Sequence, residues 1–272
     1  KKNGAKVVVI DSYKSKTAKL ADWHIMPKPG TDGALAMALI NSIIENNLTD
    51  DEYIEKYTNG FDELKKHAKN KTPKWASKIT GVHEDDILKL ATEISKSQPA
   101  AIRMGVALER HHGGGQTIRA VTCIPALTGS WKYVGGGITQ FPVWEHPYKF
   151  DVICRPDLIP ENTRVINALQ IGRALTGEIH NDIPIKSFMC WNANPVTQAP
   201  ETEKIVKGLL RDDIFVISAE HFISDTASYA DILLPASMGA EHEDIILSWG
   251  HLYLTYNEKS IAPPGEAISN YE

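Results

Sequence analysis

Val7-Val8-Val9-Ile10-Asp11-Ser12-Tyr13-Lys14-Ser15 decides the fold: four β-branched residues run without a polar break, then stop at an acid and a polar turn. A continuous run of this kind suits a strand buried on both faces of a parallel sheet. Working outward, Asp32 to Asn46 reads as a helix that is apolar nearly all round, hence buried. Thr80-Gly81-Val82-His83-Glu84 leads into a helix with Ile87, Leu90, Ala91 and Ile94 on one face. Ala100 to Met104 is the next strand, and Gly113-Gly114-Gly115 opens a helix through Leu127. Gly135-Gly136-Gly137 reads as a flexible break, and a domain boundary is expected there, giving domains 1–138 and 139–272.

Beyond the break, 141–160 is irregular and rich in aromatics and proline. Thr163 to Thr176 reads as a helix, Ser187 to Trp191 as a strand and Glu201 to Leu210 as a helix. Ile214 to Ser218 is a strand, Asp225 to Tyr229 a short helix and Asp231 to Leu234 a final strand. Strands alternating with helices specify an α/β class with a mainly parallel sheet.

The 272 residues allow one large or two ordinary domains, and 42% hydrophobic with 23% charged residues is the composition of a globular protein with a sizeable core. A formal net charge of −5 argues against nucleic acid as a partner. No apolar run is long enough for a membrane span. Cys123, Cys154 and Cys190 lie far apart with no Cys-x-x-Cys pair, which disfavours zinc, an iron–sulfur cluster and a disulfide framework, and fits a reducing, cytoplasmic compartment. The opening Lys1-Lys2-Asn3-Gly4 runs into a strand like the end of a helix and a turn, so an excised fragment is expected.

Three constellations carry candidate chemistry. Ligands of doubly wound folds sit beyond the carboxyl ends of strands. Asp11 stands there, with Ser12, Tyr13, Lys14 and Ser15 behind it to meet phosphate or sugar oxygens. Capping of the next turn is the commoner use of such an Asp. Pro29-Gly30-Thr31-Asp32 turns into the buried helix; Asp32 suits the two adjacent donors of guanine, although Thr31 or Asp32 as a plain helix cap is again the commoner use. The second constellation runs from Met104-Gly105 through Leu108 to His111-His112-Gly113-Gly114-Gly115. Metal binding by Glu109, His111 or His112 is disfavoured, because extended neighbours point oppositely and no third ligand is near. The third comprises Trp191-Asn192-Ala193-Asn194-Pro195, the strand end Ala219-Glu220-His221, and Glu241-His242-Glu243. An Asn both donates and accepts, which suits a base edge or pyrophosphate. Glu241-His242-Glu243 reads equally well as a polar structural turn.

Taken together, Val7-Val8-Val9-Ile10-Asp11, Lys16-Thr17-Ala18-Lys19-Leu20-Ala21-Asp22, Pro29-Gly30-Thr31-Asp32-Gly33, Leu127-Thr128-Gly129 with Gly135-Gly136-Gly137, Asp225-Thr226-Ala227 with Ala230-Asp231-Ile232-Leu233-Leu234-Pro235, and Gly265-Glu266-Ala267 resemble, in order and spacing, the central region of the DMSO reductase family of molybdopterin oxidoreductases. The resemblance covers essentially the whole chain. It departs from the family at Asp11-Ser12-Tyr13, where Asp-Pro-Arg is common, and at Asn270, where Asp is common.

The resemblance implies two Rossmann-like, three-layer α/β/α domains, each gripping one guanine-nucleotide half of a bis-molybdopterin guanine dinucleotide carrying molybdenum or tungsten. By the same token Met104 and Leu108, with Gly105 between them, approach the cofactor near the pterin, and Asn192 or Asn194, Ala219, Glu220 and His242 serve the second guanosine and its surroundings. It further implies an amino-terminal 4Fe–4S segment, the metal's protein ligand and a carboxy-terminal domain elsewhere in the same protein, and an electron-transfer subunit as partner. Oxygen-atom or hydride/electron transfer at the metal would belong to the whole protein, on formate, nitrate, an S- or N-oxide, or a sulfur or arsenic oxyanion. No Arg-Gly-Gln signature follows Gly137, which disfavours formate. Two other readings compete. One is a cofactor-free scaffold domain of a respiratory complex, which needs no polar strand ends. The other is an NAD enzyme, which lacks its Gly-x-Gly-x-x-Gly after the first strand.

Overall fold

In a computed structural model the chain forms two compact units, Lys1–Pro142 and Val143–Glu272. The structure describes residues 2–140, 149–180, 182–247 and 252–271. Residues 141–148 of the expected irregular stretch lie outside the described residues.

The first unit is built around one helix. β1 (Val8–Ile10) and β2 (Trp23–Ile25) pair in parallel, joined by α1 (Lys16–Leu20). α2 (Asp32–Glu45) follows, then α3 (Asp51–Tyr57), α4 (Phe61–Ala68), α5 (Pro73–Thr80) and α6 (Glu84–Lys96). β3 (Ala101–Arg103), α7 (Gly114–Leu127) and β4 (Gly137–Thr139) close the unit, with β3 and β4 again parallel. Helix α2 runs through the core: Ile40 and Ile43 are fully buried, packed with Ile25, Ile87, Leu90 and Ile124. Burying each such side chain contributes about 1.5–3 kcal/mol. Local chemistry sets the surrounding helix ends. Asp50 caps α3 through Tyr53 N (3.0 Å), and Thr72 caps α5 with Pro73 at its first turn.

Two expectations change here. β1 is half-buried rather than enclosed, and Ile10 is 43% exposed, because among the described residues its strand has one neighbour, β2. Gly135-Gly136-Gly137 is no flexible break. Gly137 (φ 97°) is buried in β4, and a Cβ there would stand 2.4 Å from the Trp131 ring; at Gly136 it would stand 2.2 Å from the Ser130 carbonyl oxygen. The glycines are there to let β4 close against that aromatic turn.

The second unit contains α8 (Phe150–Cys154), α9 (Ile171–Leu175), β5 (Ser187–Trp191), α10 (Pro195–Gln198), α11 (Thr202–Leu209), β6 (Phe215–Glu220), β7 (Ile232–Pro235), β8 (Asp244–Leu247) and β9 (Leu254–Asn257). Its parallel sheet has the order β5-β6-β7, with Trp191 opposite Ala219 and Ala219 opposite Leu234. Helices α9 and α11 pack Leu175 and Ile205 against Val216 beneath the sheet. β8 and β9 form a separate antiparallel pair. The expected helix 163–176 is largely absent. It shrinks to a 3-10 turn at Ala168–Gln170 and α9, because Thr163 turns its hydroxyl onto the Pro160 carbonyl (2.7 Å) and Asn167 Oδ1 takes the Leu169 N–H (2.9 Å), starting the helix late. Three of the four described sheets are parallel, as the α/β reading required.

Candidate cofactor-binding site

The carboxyl end of β1 is held open by its neighbour. The Asp11 N–H donates to Ile25 O (3.1 Å), extending the ladder by one step, and His24 Nε2 donates to the Asp11 carbonyl (3.0 Å). Because that partner is a carbonyl, Nε2 carries the hydrogen. The Asp11 carboxylate itself makes no hydrogen bond or ion pair with the described residues, so it does not cap the turn. Ser15 does: its Oγ accepts from Ala18 N (3.2 Å). Ser12, Tyr13 and Lys14 are exposed beside it.

At the second turn Gly30 takes φ 76°, and a Cβ there would stand 3.2 Å from His111 Nδ1. Glycine thus lets the His111 loop rest on the turn. Thr31 occupies the cap position of α2, yet its hydroxyl donates to Lys28 O (2.6 Å) instead of accepting from the helix. Asp32 stands half-buried in an uncapped first turn, where the helix dipole favours negative charge. A Cβ on Gly33 would lie 2.9 Å from Thr117 Oγ1, so α2 and α7 approach closely at the same end. Gly30, Thr31 and Asp32 are therefore brought together with the His111–Gly115 loop, two segments about eighty residues apart in sequence. Within that loop region Met104 is buried, its N–H bonded to Thr139 O (2.8 Å) and its carbonyl to the Arg103 guanidinium. Gly105 is extended and exposed, with nothing within 4 Å of where a Cβ would stand, and Leu108 is half-buried in the 3-10 turn Val106–Arg110.

In the second unit the ends of β5, β6 and β7 lie side by side. Asn192 adopts φ 51° and donates its N–H to Ala219 O (3.2 Å), leaving its exposed amide free of the described residues. Asn194 is otherwise engaged. Its Oδ1 accepts from both Thr226 N (3.1 Å) and Thr226 Oγ1 (2.7 Å), so only its amide nitrogen remains for a ligand. Ala219 is buried, and its carbonyl accepts from Asn192 N. Glu220 accepts from His221 N through Oε1 (2.8 Å), and its Oε2 has no hydrogen-bond partner among the described residues. His242 Nδ1 pairs with Ser237 Oγ (2.9 Å). The segment around Ile268 joins the same edge by a bridge to Ala236, and Asn270 Oδ1 accepts from Trp191 Nε1 (3.2 Å).

Cysteine chemistry does not enter the site. Burial pushes the Cys190 thiol up, and the Glu220 carboxylate pushes it the same way; burial also raises Cys123. Among the described residues no three His, Cys, Asp or Glu side chains assemble as a metal ligand set. Sequence reasoning missed two residues: Ser237, hidden after a strand, and His24, whose setting in Trp23-His24-Ile25 is the only strand signal β2 offers.

The site residues suit a nucleotide-bearing cofactor. Carboxylate oxygens without a hydrogen-bond partner among the described residues stand at strand ends in both units, on Asp11 and Glu220, the latter beside the exposed Asn192 amide at the end of the neighbouring strand. The family model for molybdopterin oxidoreductase matches residues 1–272. The chain is 40% identical over 273 residues to a probable oxidoreductase of Bacillus subtilis (YoaE), covering 100% of this chain and 40% of that protein. It is 32% identical over 313 residues to the dimethyl sulfoxide reductase DmsA of Escherichia coli, covering 100% and 38%. The acetylene hydratase structure from Pelobacter acetylenicus superposes with a TM-score of 0.79 over 99% of this chain and 42% of that one, at 24% identity, which speaks to the fold. The chain thus spans about two fifths of the length of the curated relatives it matches. No helix among the described residues is long and apolar enough to cross a membrane. With a family model matching its whole length, this chain belongs to the molybdopterin oxidoreductase family, which implies a molybdenum–pterin cofactor.

Proposed function

We propose that this chain grips the two guanine-nucleotide ends of a bis-molybdopterin guanine dinucleotide, one in each unit, within a larger molybdenum- or tungsten-dependent oxidoreductase. The observation that carries the reading is the repeated strand end: a parallel strand runs into an acid with a carboxylate oxygen unclaimed by the described residues, Asp11 just after β1 and Glu220 at the end of β6. A carboxylate binds the adjacent N–H donors of guanine bidentately, and each acid is backed by donors for phosphate and ribose oxygens. Ser12, Tyr13 and Lys14 fill that role in the first unit, Asn192 and His242 in the second. Asp32 and Gly105 orient the ligand where the His111 loop meets the α2 turn.

The bound group supplies oxygen-atom or hydride/electron transfer; the protein supplies position and charge. The substrate falls among formate, nitrate, S- and N-oxides, and sulfur or arsenic oxyanions. The rest of the protein furnishes a 4Fe–4S segment, the metal's protein ligand and a carboxy-terminal domain, and an electron-transfer subunit completes the path. Three free cysteines, Cys123, Cys154 and Cys190, support a reducing, cytoplasmic setting.

The test is elemental analysis of the intact protein, purified anaerobically, together with GMP released by acid hydrolysis. About two GMP and about one molybdenum or tungsten per chain support the reading, and about four iron add the cluster. Neither metal nor GMP, from a host that makes the cofactor, overturns it in favour of a cofactor-free scaffold.

A further inference from the structure

Ser237 joins three segments that sequence alone keeps apart. It is 1% exposed, two residues beyond β7. Its N–H donates to Ile268 O (2.8 Å), and its carbonyl accepts from His221 Nε2 (3.1 Å). Its Oγ meets His242 Nδ1 at 2.9 Å. The backbone of His242 is pinned as well, since its carbonyl accepts from Asn257 Nδ2 (3.0 Å). The other ring nitrogen, Nε2, has no hydrogen-bond partner among the described residues.

The direction of the Ser237–His242 bond follows from satisfaction. A buried hydroxyl proton needs an acceptor, and the only one within reach of Ser237 Oγ among the described residues is His242 Nδ1. Oγ–H therefore donates to Nδ1. In neutral imidazole the hydrogen then sits on Nε2, which makes the unpartnered nitrogen a donor. We infer that Ser237 is a positioning residue that locks His242 in the Nε2–H tautomer, so that this N–H donates to an anionic oxygen of the nucleotide's diphosphate at the second unit's strand ends. The inference rests on the nucleotide reading given above. It extends it from a residue that touches the ligand to the buried one that sets its chemistry, and through Ser237 to the Ile268 segment and to His221 beside Glu220.

The experiment uses the intact protein from a host unable to make the cofactor, with GDP as probe. Histidine 15N NMR, with the His242 signals identified by their loss in His242→Gln, reads the tautomer. Calorimetry reads GDP affinity. Ser237→Ala should shift His242 to a mixture of tautomers and weaken GDP roughly ten-fold. Ser237→Thr, which keeps the hydroxyl, should restore both, and controls for a folding defect in the alanine variant. In a His242→Gln background Ser237→Ala should change GDP affinity no further. A wild-type His242 in the Nδ1–H form, or an affinity loss that persists undiminished without His242, overturns the inference. Wild-type protein that binds no GDP but shows the Nε2–H tautomer overturns the nucleotide reading and leaves the locking of His242 standing.

Discussion

Asn194 Oδ1 accepts two hydrogen bonds from one residue, the backbone N–H (3.1 Å) and hydroxyl (2.7 Å) of Thr226, while Thr226 Oγ1 accepts in turn from Val196 N (3.0 Å). Thr226 is fully buried, and this loop-to-loop clasp holds the end of β5. Thr226→Val keeps the shape but strands the Val196 N–H and removes one bond from Asn194. A loss of about 1–3 kcal/mol is expected. Urea unfolding of wild type and variant measures it, and an unchanged midpoint would refute the clasp.

Two helical glycines should respond to alanine with opposite signs. Alanine normally gains about 0.5–1 kcal/mol over glycine inside a helix. At Gly115 in α7 an added Cβ meets nothing within 4 Å, so Gly115→Ala should stabilise by that amount. At Gly208 in α11 the Cβ would stand 2.4 Å from Leu175 Cβ in the α9–α11 packing. Gly208→Ala should therefore destabilise by about 1–3 kcal/mol despite its better propensity. Thermal melts of the pair decide it; a stabilising Gly208→Ala would show that α9 yields.

Acid should reach the second unit through Asp213. Hydrogen bonds from Arg211 (2.9 and 2.8 Å), then from Lys186, hold its carboxyl at about 2, below its ordinary 3.8. A depressed carboxyl stabilises the fold above its unfolded value and loses that contribution as pH falls through its folded one. The difference in urea midpoint between wild type and Asp213→Asn should be constant above pH 3.8 and close as pH drops to about 2. Because the cluster is exposed, the difference should be small and fade in salt. A difference that persists at the acid end would point to packing instead of charge.

Removing one strand-end acid should cost one nucleotide. If the units act separately, Asp11→Ala and Glu220→Ala should each lower the GMP released per chain from about two to about one, and the double variant to near zero. Quantifying GMP after acid hydrolysis checks this. Loss of both nucleotides from either single variant would mean that the halves do not load independently.

The sequence by itself determined the class and which acids stand at strand ends. The apolar runs at 8–10 and 215–217 are strands because β-branched and aromatic residues fit a pleated, half-buried surface. The 32–45 helix is the core of its unit because it is apolar nearly all round, leaving only its ends to water. The acids at 11 and 220 were legible because they interrupt those runs at a strand end. Signals for α3 and α5 were also present in Asp50 and in Thr72-Pro73, but those helices are short and carry little periodicity. Tertiary structure alone decided the rest. That Gly30 lies under His111, that Asn194 is spent on Thr226, and that Ser237 rather than a neighbour of His242 orients its ring all depend on segments brought together across many residues. Hydrogen-bond partners of buried polar groups are chosen by where the chain returns, and local sequence carries no record of that choice.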